Sequence, residues 1–313
     1  MMPSPVDIGV DVAKLELQIA YADRRAVPAR LSNDRTAIRA WLGQLPVGSR
    51  IAMEATGGYH TLLADLAHAQ GLPVYVVNPA DLRHYARAVG VRGKTDRVDA
   101  AVIARYLQRE GAALHRYWPP TPEQREIDAL LRRRATVVSN KTQLRLSLGS
   151  VPALRAELRT AVAALDAIIA TMDRRLRELA RISAPAHQRV ETILGVGPLL
   201  GVALSNLFAR VPLRNSDAAV AFVGLDPRAK DSGQATGRRR LSKRGPAELR
   251  RLLFNGARSA SRTALWRSHY QKSLARGLST TEATVIIARK LLRTAFSIYR
   301  HGTTFDPARI NHA

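Results

Sequence analysis

The chain begins with two runs of alternating polarity. In Val6–Val12 the side chains of Val6, Ile8, Val10 and Val12 share one face, and Asp7, Gly9 and Asp11 the other. That period of two marks a half-buried strand. Leu15–Ala22 alternates in the same way close behind, which predicts a hairpin. Ala26–Leu31 reads as a weaker third strand, and Asp34–Leu45 as a helix with Ser32 or Asn33 as its cap. Arg50–Met53 is a short apolar strand ending at Glu54, Tyr59–Gln70 a helix, and Leu72–Val77 a buried strand. Pro79–Ala88 and Asp96–Arg109 complete the series as helices. Three strands followed by alternating helix and strand predict an α/β domain over residues 1–117.

Trp118-Pro119-Pro120-Thr121-Pro122 interrupts this pattern, since clustered prolines cannot continue a helix. Residues 122–183 then show apolar positions three and four apart. Leu130, Leu131, Val137, Val138, Leu144 and Leu148 form one stripe; Leu154, Leu158, Val162, Leu165, Ile169, Met172, Leu176 and Leu179 form another. A break near Gly149–Pro152 makes the pair a long helical hairpin or coiled coil. Two helices are too thin to bury their own stripe, so packing on another subunit is expected, with packing on the same chain as the alternative. Residues 184–313 are a third, all-α region with a Gly/Arg-rich loop from Gly224 to Gly245.

Charge narrows the function. Among 313 residues there are 49 Lys and Arg against 25 Asp and Glu, a formal net charge of +24, with 46% apolar residues. The charge therefore sits on a folded protein, and a positive field of this size attracts polyanions, nucleic acid first. The absence of cysteine removes disulfides, thiolate nucleophiles and cysteine zinc sites, and fits a cytoplasmic location. No cationic start leads into an apolar stretch, and no apolar window is long enough for a membrane span, so neither a signal peptide nor a membrane is expected.

In so basic a chain the placement of four acids stands out. Asp11 ends the first strand and Glu54 the fourth, while Asp96 and Asp99 lie at the start of one helix. With Asp96 at zero, Asp99 falls at about 300°, inside an apolar arc from Val102 at about 240° to Leu107 at about 20°. Carboxylates turned towards a core need compensation. For one aspartate, a helix cap or an ion pair with arginine is enough. For four acids behind a strand hairpin, a divalent metal fits better: Mg²⁺ prefers hard oxygen ligands, and such ions can stabilise both oxygens of a phosphodiester displacement.

Asp11 in GVDVAK, Glu54 in MEATGGYH and the helix start GKTDRVDA, with Asp96 and Asp99, resemble the Asp-Glu-Asp-Asp set of an RNase H/RuvC-like fold. More narrowly, they resemble the transposases of the bacterial "one-ten" insertion-sequence family, relatives of the Piv invertase, with KTDRVDAAVIARYL the most specific stretch. Asp7 is a neighbour that does not occupy the family's position.

Two further features lie in the C-terminal half. Leu194-Gly195-Val196-Gly197-Pro198 separates two helical patterns; it reads as a helix-hairpin-helix phosphate clamp through Gly195 and Gly197, or as a plain turn. From Arg228 to Arg251 there are nine basic residues, including Arg238, Arg239, Arg240, Lys243 and Arg244, against Asp231 and Glu248, which suits a phosphate-contacting loop. Composition does not single out Ser232 there. The resemblance does: GLDPRAKDSGQATGRRRLSKRGPAELRRLLF is similar to the family's C-terminal domain, whose Ser-Gly serine is the nucleophile. Leu194 stands where proline is common in the family, and Pro246 where a polar residue is common.

The resemblance spans about residues 6–300 and implies a DNA recombinase. Ser232 would attack a DNA phosphate and become esterified to it, with Asp11, Glu54, Asp96 and Asp99 holding Mg²⁺ at the same site. Partners implied are donor and target DNA, a structured bridge RNA, and further copies of the chain, a dimer when free and a tetramer on DNA. The acids and the serine fall in different domains, which suits a centre assembled between subunits with the hairpin as dimerisation element. The alternatives are a Mg²⁺-dependent structure-specific endonuclease, in which Ser232 is structural, and a non-enzymatic architectural protein. The histidines show no metal-ligand spacing, His60 near Glu54 being the one of interest; Tyr59 and Tyr85 are candidate stacking partners.

Overall fold

The computed structural model describes residues 5–23, 29–55, 57–91, 96–228 and 240–310, and the backbone alone of residues 29, 96, 97 and 309. The chain divides into two compact units, Met1–Pro119 and Pro120–Ala313.

The first unit is a mixed α/β sandwich. Strands β1 (Asp7–Val12), β2 (Glu16–Tyr21) and β3 (Ala29–Ser32) form an antiparallel meander. Helix α1 (Arg35–Leu42) leads to β4 (Arg50–Glu54), α2 (Thr61–Ala69) to β5 (Val74–Val77), and α3 (Pro79–Ala88) and α4 (Asp96–Glu110) follow. The sheet order is β3-β2-β1-β4-β5, with β1, β4 and β5 parallel. Alternation divides the side chains between two faces. Ile8, Val10, Leu17, Ile19, Ile51 and Met53 pack with Ile38 and Trp41 of α1 and Leu63 of α2. Ala52, Tyr75 and Val77 face the other way, onto Leu82 of α3 and Ile103 and Leu107 of α4.

The expected elements form, most with shorter ends; the helix from Pro79 to Ala88 keeps its bounds and α4 runs one residue further, to Glu110. The cap of α1 differs: Asp34, not Ser32 or Asn33, accepts from the Ala37 amide at 2.9 Å. Residues 26–28 of the third expected strand lie outside the described residues.

In the second unit α5 (Pro122–Leu148) and α6 (Arg155–Ser183) form the hairpin. Thr121 and Gln124 cap α5 reciprocally, with Pro122 at the first helical position. Ion pairs Arg175–Glu126 (2.7 Å), Arg134–Asp173 (2.5 Å) and Lys141–Asp166 (2.5 Å) ladder the two helices in antiparallel order. Then come α7 (His187–Glu191), α8 (Pro198–Arg210), α9 (Ser216–Val223), the two-stranded ladder of β6 (Pro227–Arg228) and β7 (Arg240–Leu241), and α10 (Ala247–Ala260), α11 (Ala264–Ala275) and α12 (Thr280–His301). Trp266, Leu253, Leu291 and Leu292, all fully buried, centre the core of this unit. At its base the hairpin packs on the same chain: Ile127, Leu176, Leu179 and Ala180 share a cluster with Val202 of α8. Towards its tip Leu146 is 80% exposed. Among the described residues no helix is long and apolar enough to cross a membrane.

Candidate catalytic and phosphate-contact sites

The two strand acids come together through the sheet register. Val10 of β1 pairs with Met53 of the parallel strand β4, so the next step places Asp11 beside Glu54 at the C-terminal ends of both strands. Adjacent strands lie about 4.8 Å apart. Both acids point to the α4 face, since Gly9 and Ala52, two residues earlier in each strand, lie under α4.

Helix α4 runs antiparallel to these strands. Its C-terminal neighbour Gly111 lies against Arg50 at the start of β4, and Ala100 and Ala104 lie over Gly9. The first turn, with Asp96 and Asp99, therefore lies towards the end of the sheet that carries Asp11 and Glu54. The approach is close because both partners are small. A Cβ on Gly9 would stand 2.2 Å from the Ala100 carbonyl oxygen and 2.2 Å from the Ala104 nitrogen.

This contact corrects the helical arc. Ala100, Ile103, Ala104 and Leu107 are each at most 1% exposed, so the buried arc is rotated towards the alanines, at about 40° and 80°. Asp99 falls at its margin, half-buried. Asp96 falls within it, although its side chain lies outside the described residues. Large apolar residues dominate the expected pattern, whereas the close contact is made by the helix backbone at Ala100 and Ala104 against a glycine. Among the described residues no three His, Asp or Glu side chains form a group that could hold a metal ion. Asp11, Glu54 and Asp99 thus share one end of one face without closing into a three-carboxylate set. As hard oxygen donors they suit Mg²⁺ in kind.

Asp7 lies on the same face at the opposite end of β1. Arg50 donates to it twice, Nε to Oδ1 at 2.6 Å and Nη2 to Oδ2 at 2.7 Å. That bidentate hydrogen bonding raises the guanidinium pKa above its usual range. Asp7 is thereby an ion-pair partner, distinct from the acids at the far end.

A residue that sequence reasoning took for a cap joins the loops around the acids. The Asn33 side-chain amide donates to the Ala13 carbonyl at 2.9 Å and to the Tyr59 carbonyl at 3.3 Å. Ala13 follows Asp11 by two residues, and Tyr59 lies in the segment between Glu54 and α2. Asn33 therefore ties the exits of β1 and β4 together. Its preference for turns hid this long-range role. His60 immediately precedes α2, and Tyr85 packs edge-on against Tyr106, ring centroids 4.9 Å apart, joining α3 to α4.

In the second unit Ser232, Arg238 and Arg239 lie outside the described residues. The stem that carries this segment is described. Pro227 pairs with Leu241 and Arg228 with Arg240. Below the ladder, the Ser242 amide donates to the Asp226 carbonyl at 3.0 Å and the Lys243 amide to the Gly224 carbonyl at 3.1 Å. Gly224, at φ +75°, fits because its Cβ would lie 2.5 Å from the Arg244 nitrogen. Arg250 donates to the Val223 and Gly245 carbonyls at 3.0 and 2.6 Å, and Arg289 to the Leu225 carbonyl at 2.7 Å. Burial lowers the pKa of both guanidinium groups. Arg251 forks onto Glu248 at 2.7 and 2.6 Å. So Arg250 and Arg251, counted with the basic run, hold the stem and its helix. Arg240, Lys243 and Arg244 are exposed. Lys243 takes φ 53°, a conformation costing a non-glycine residue about 1–3 kcal/mol.

The Gly195–Gly197 turn divides its glycines by role. Gly195, at φ +100°, abuts α10: its Cβ would meet the Ala260 Cβ at 2.5 Å and the Gly256 carbonyl at 2.8 Å. Gly197 precedes α8 in extended conformation, and a Cβ there would meet nothing within 4 Å. Gly195 therefore serves helix packing, and Gly197 faces open space at a helix N-terminus.

Two family models match. One, described as an IS110-type DEDD transposase, matches residues 8–151, and another, described as the transposase IS116/IS110/IS902 family, matches residues 187–271. Among similar proteins, a probable family 20 transposase of Pseudomonas aeruginosa is 29% identical, over 96% of this chain and 98% of the relative. The pilin gene-inverting protein of Moraxella bovis is 27% identical, over 82% of this chain and 81% of the relative. The transposase for insertion sequence element IS1111A of Coxiella burnetii is 27% identical, over 82% and 78%.

Proposed function

The chain belongs to the IS110 family of insertion-sequence transposases, and from that premise we propose that it cuts and rejoins DNA through a phosphoserine intermediate at Ser232. The observation that carries the proposal is the placement of Asp11 and Glu54 at neighbouring strand ends, with the first turn of α4 towards the same end. The strand order β3-β2-β1-β4-β5 supports an RNase H/RuvC-like reading of the first unit.

In this reading the Ser232 hydroxyl attacks the scissile phosphorus and gives up its proton. The bond from phosphorus to the leaving sugar oxygen breaks, and that oxygen takes a proton. Rejoining is the reverse, with a new sugar hydroxyl displacing Ser232. Arg238, Arg239, Arg240, Lys243 and Arg244 hold the phosphates around the serine, and Gly197 offers open backbone to the flanking strand. Asp11, Glu54, Asp96 and Asp99 would hold Mg²⁺, which supplies positive charge for the phosphate oxygens. The net charge of +24 supports two polyanionic partners, DNA and a bridge RNA. The exposed hairpin tip supports self-association. The relatives named for gene inversion and for transposition both fit strand exchange of this kind.

The test is a denaturing gel of the full chain after reaction with end-labelled junction DNA, guide RNA and Mg²⁺. Protein should travel with the label, Ser232→Ala should abolish the adduct while leaving DNA binding intact, and Asp11→Ala should reduce it. Cleavage without an adduct would replace the serine by water and make the protein a metal-dependent endonuclease.

A further inference from the structure

The second unit carries a groove lined by residues that the reading above leaves without a role. It is an open groove of about 670 Å³ where the end of α10, one face of α11 and the first turn of α12 meet. Arg258 and Arg262 come from the end of α10 and the turn after it, and Arg267 and Tyr270 from α11. Thr280 and Thr281 line the side formed by α12. Among the described residues that line it there is no carboxylate.

The arginines are set out to receive an anion. Arg258, Arg262 and Arg267 are all exposed. The Arg267 guanidinium donates to the Arg262 carbonyl at 2.8 Å, which fixes the direction of that side chain. Three guanidinium groups border one groove with no carboxylate among its described lining residues, and their planar donors match phosphate oxygens. Tyr270 differs in kind: it is half-buried, with part of its ring against the core, and it lines the groove. In a duplex the base faces are already stacked, so an aromatic wall gains nothing from them. An unpaired base offers a free π-face.

We infer that this groove binds an unpaired nucleotide of single-stranded nucleic acid, its phosphates on Arg258, Arg262 and Arg267 and its base against Tyr270. The inference rests on the reading of the chain as a nucleic-acid-handling transposase, and on neither its metal nor its serine chemistry. The groove would hold a displaced DNA strand or an unpaired stretch of RNA, which share this chemistry.

The experiment is fluorescence anisotropy of the full chain with labelled oligo-dT, oligo-U and a duplex of equal length, over a salt series. The triple variant Arg258→Gln, Arg262→Gln, Arg267→Gln should bind single strands about 30-fold more weakly and reduce the magnitude of the log–log salt slope by about 2. Tyr270→Ala should weaken single-strand binding about tenfold, and Tyr270→Phe should restore it. Duplex binding should change less than threefold in each. A ribo- over deoxyribo-preference lost in the triple variant identifies RNA as the source, and no preference identifies either strand. Equal losses for single strand and duplex, or no loss, overturn the inference. The arginines are exposed, so the triple variant should keep its melting temperature; where Tyr270→Ala lowers it, the triple variant decides. Adduct formation by wild type without a selective binding loss would refute this groove alone, and the converse would refute the Ser232 chemistry alone.

Discussion

Gly9 lies beneath Ala104 with no room for a methyl group, its Cβ position being 2.2 Å from the Ala104 nitrogen. The neighbouring atoms are helix backbone and cannot rotate away. Gly9→Ala should therefore displace α4 from β1, costing about 3 kcal/mol or more. A urea melt checks the cost. The displaced helix carries Asp96 and Asp99, so adduct formation should fall further than the folded fraction does.

The two aspartates on the α4 face of β1 should separate stability from activity. Asp7→Ala leaves the half-buried Arg50 guanidinium without its double hydrogen bond, and should cost about 1–3 kcal/mol. Its adduct yield, per folded molecule, should match wild type. Asp11→Ala should do the reverse, with a smaller stability cost than Asp7→Ala and the adduct reduced. Thermal melts and gels on both variants make the comparison, and equal loss of adduct in the two would contradict the division of roles.

Asn33 joins the loop after Asp11 to the loop after Glu54. Asn33→Ala should cost about 1–2 kcal/mol and lower the rate of adduct formation. Extra Mg²⁺ should recover part of that rate if the loss lies in the spacing of the carboxylates. A rate that is insensitive to Mg²⁺ concentration would limit Asn33 to a folding role.

Lys243 and Arg250 should give opposite results. Lys243→Gly relieves a left-handed backbone, so stability should rise by up to about 1 kcal/mol while DNA affinity falls, together with the salt slope, by about one phosphate contact. Arg250→Ala frees the Val223 and Gly245 carbonyls and should lower the melting temperature instead.

Glu191 supplies a pH dependence. Burial raises its pKa, opposed by the charges of His187 and Arg177. Below the ordinary glutamate value the carboxyl is neutral in both folded and unfolded chains. As pH rises through the raised folded value, ionisation is harder in the folded state, and stability is lost. Glu191→Gln should melt higher than wild type near pH 7, with the gap closing near pH 4. A gap that stays constant across that range would show that the carboxyl does not act through its charge.

The sheet was legible because alternation sorts side chains by face: Ile8 and Val10 one way, Gly9 and Asp11 the other. The turn at Gly149 and the long helices around it were legible for the same reason, in a period of 3.6. What escaped was contact between small or polar groups. Ala100 and Ala104 carry little hydrophobic signal, yet they set how close α4 lies to the sheet. Asn33 is a turn residue by type and a cross-loop bond by position. The basic run looked uniform, yet Arg250 and Arg251 face carbonyls and Glu248 while Lys243 faces solvent, a difference made by tertiary neighbours alone.

Helix α10 touches three places that otherwise have little in common. Arg250 near its start holds the Val223 and Gly245 carbonyls, Gly256 packs on Gly195, and Arg258 near its end opens into the α11–α12 groove. Eight residues separate Arg250 from Arg258, which on an α-helix is about 12 Å. A rod of that kind works as a ruler: it holds the Arg250 contacts and the mouth of the groove at one set separation.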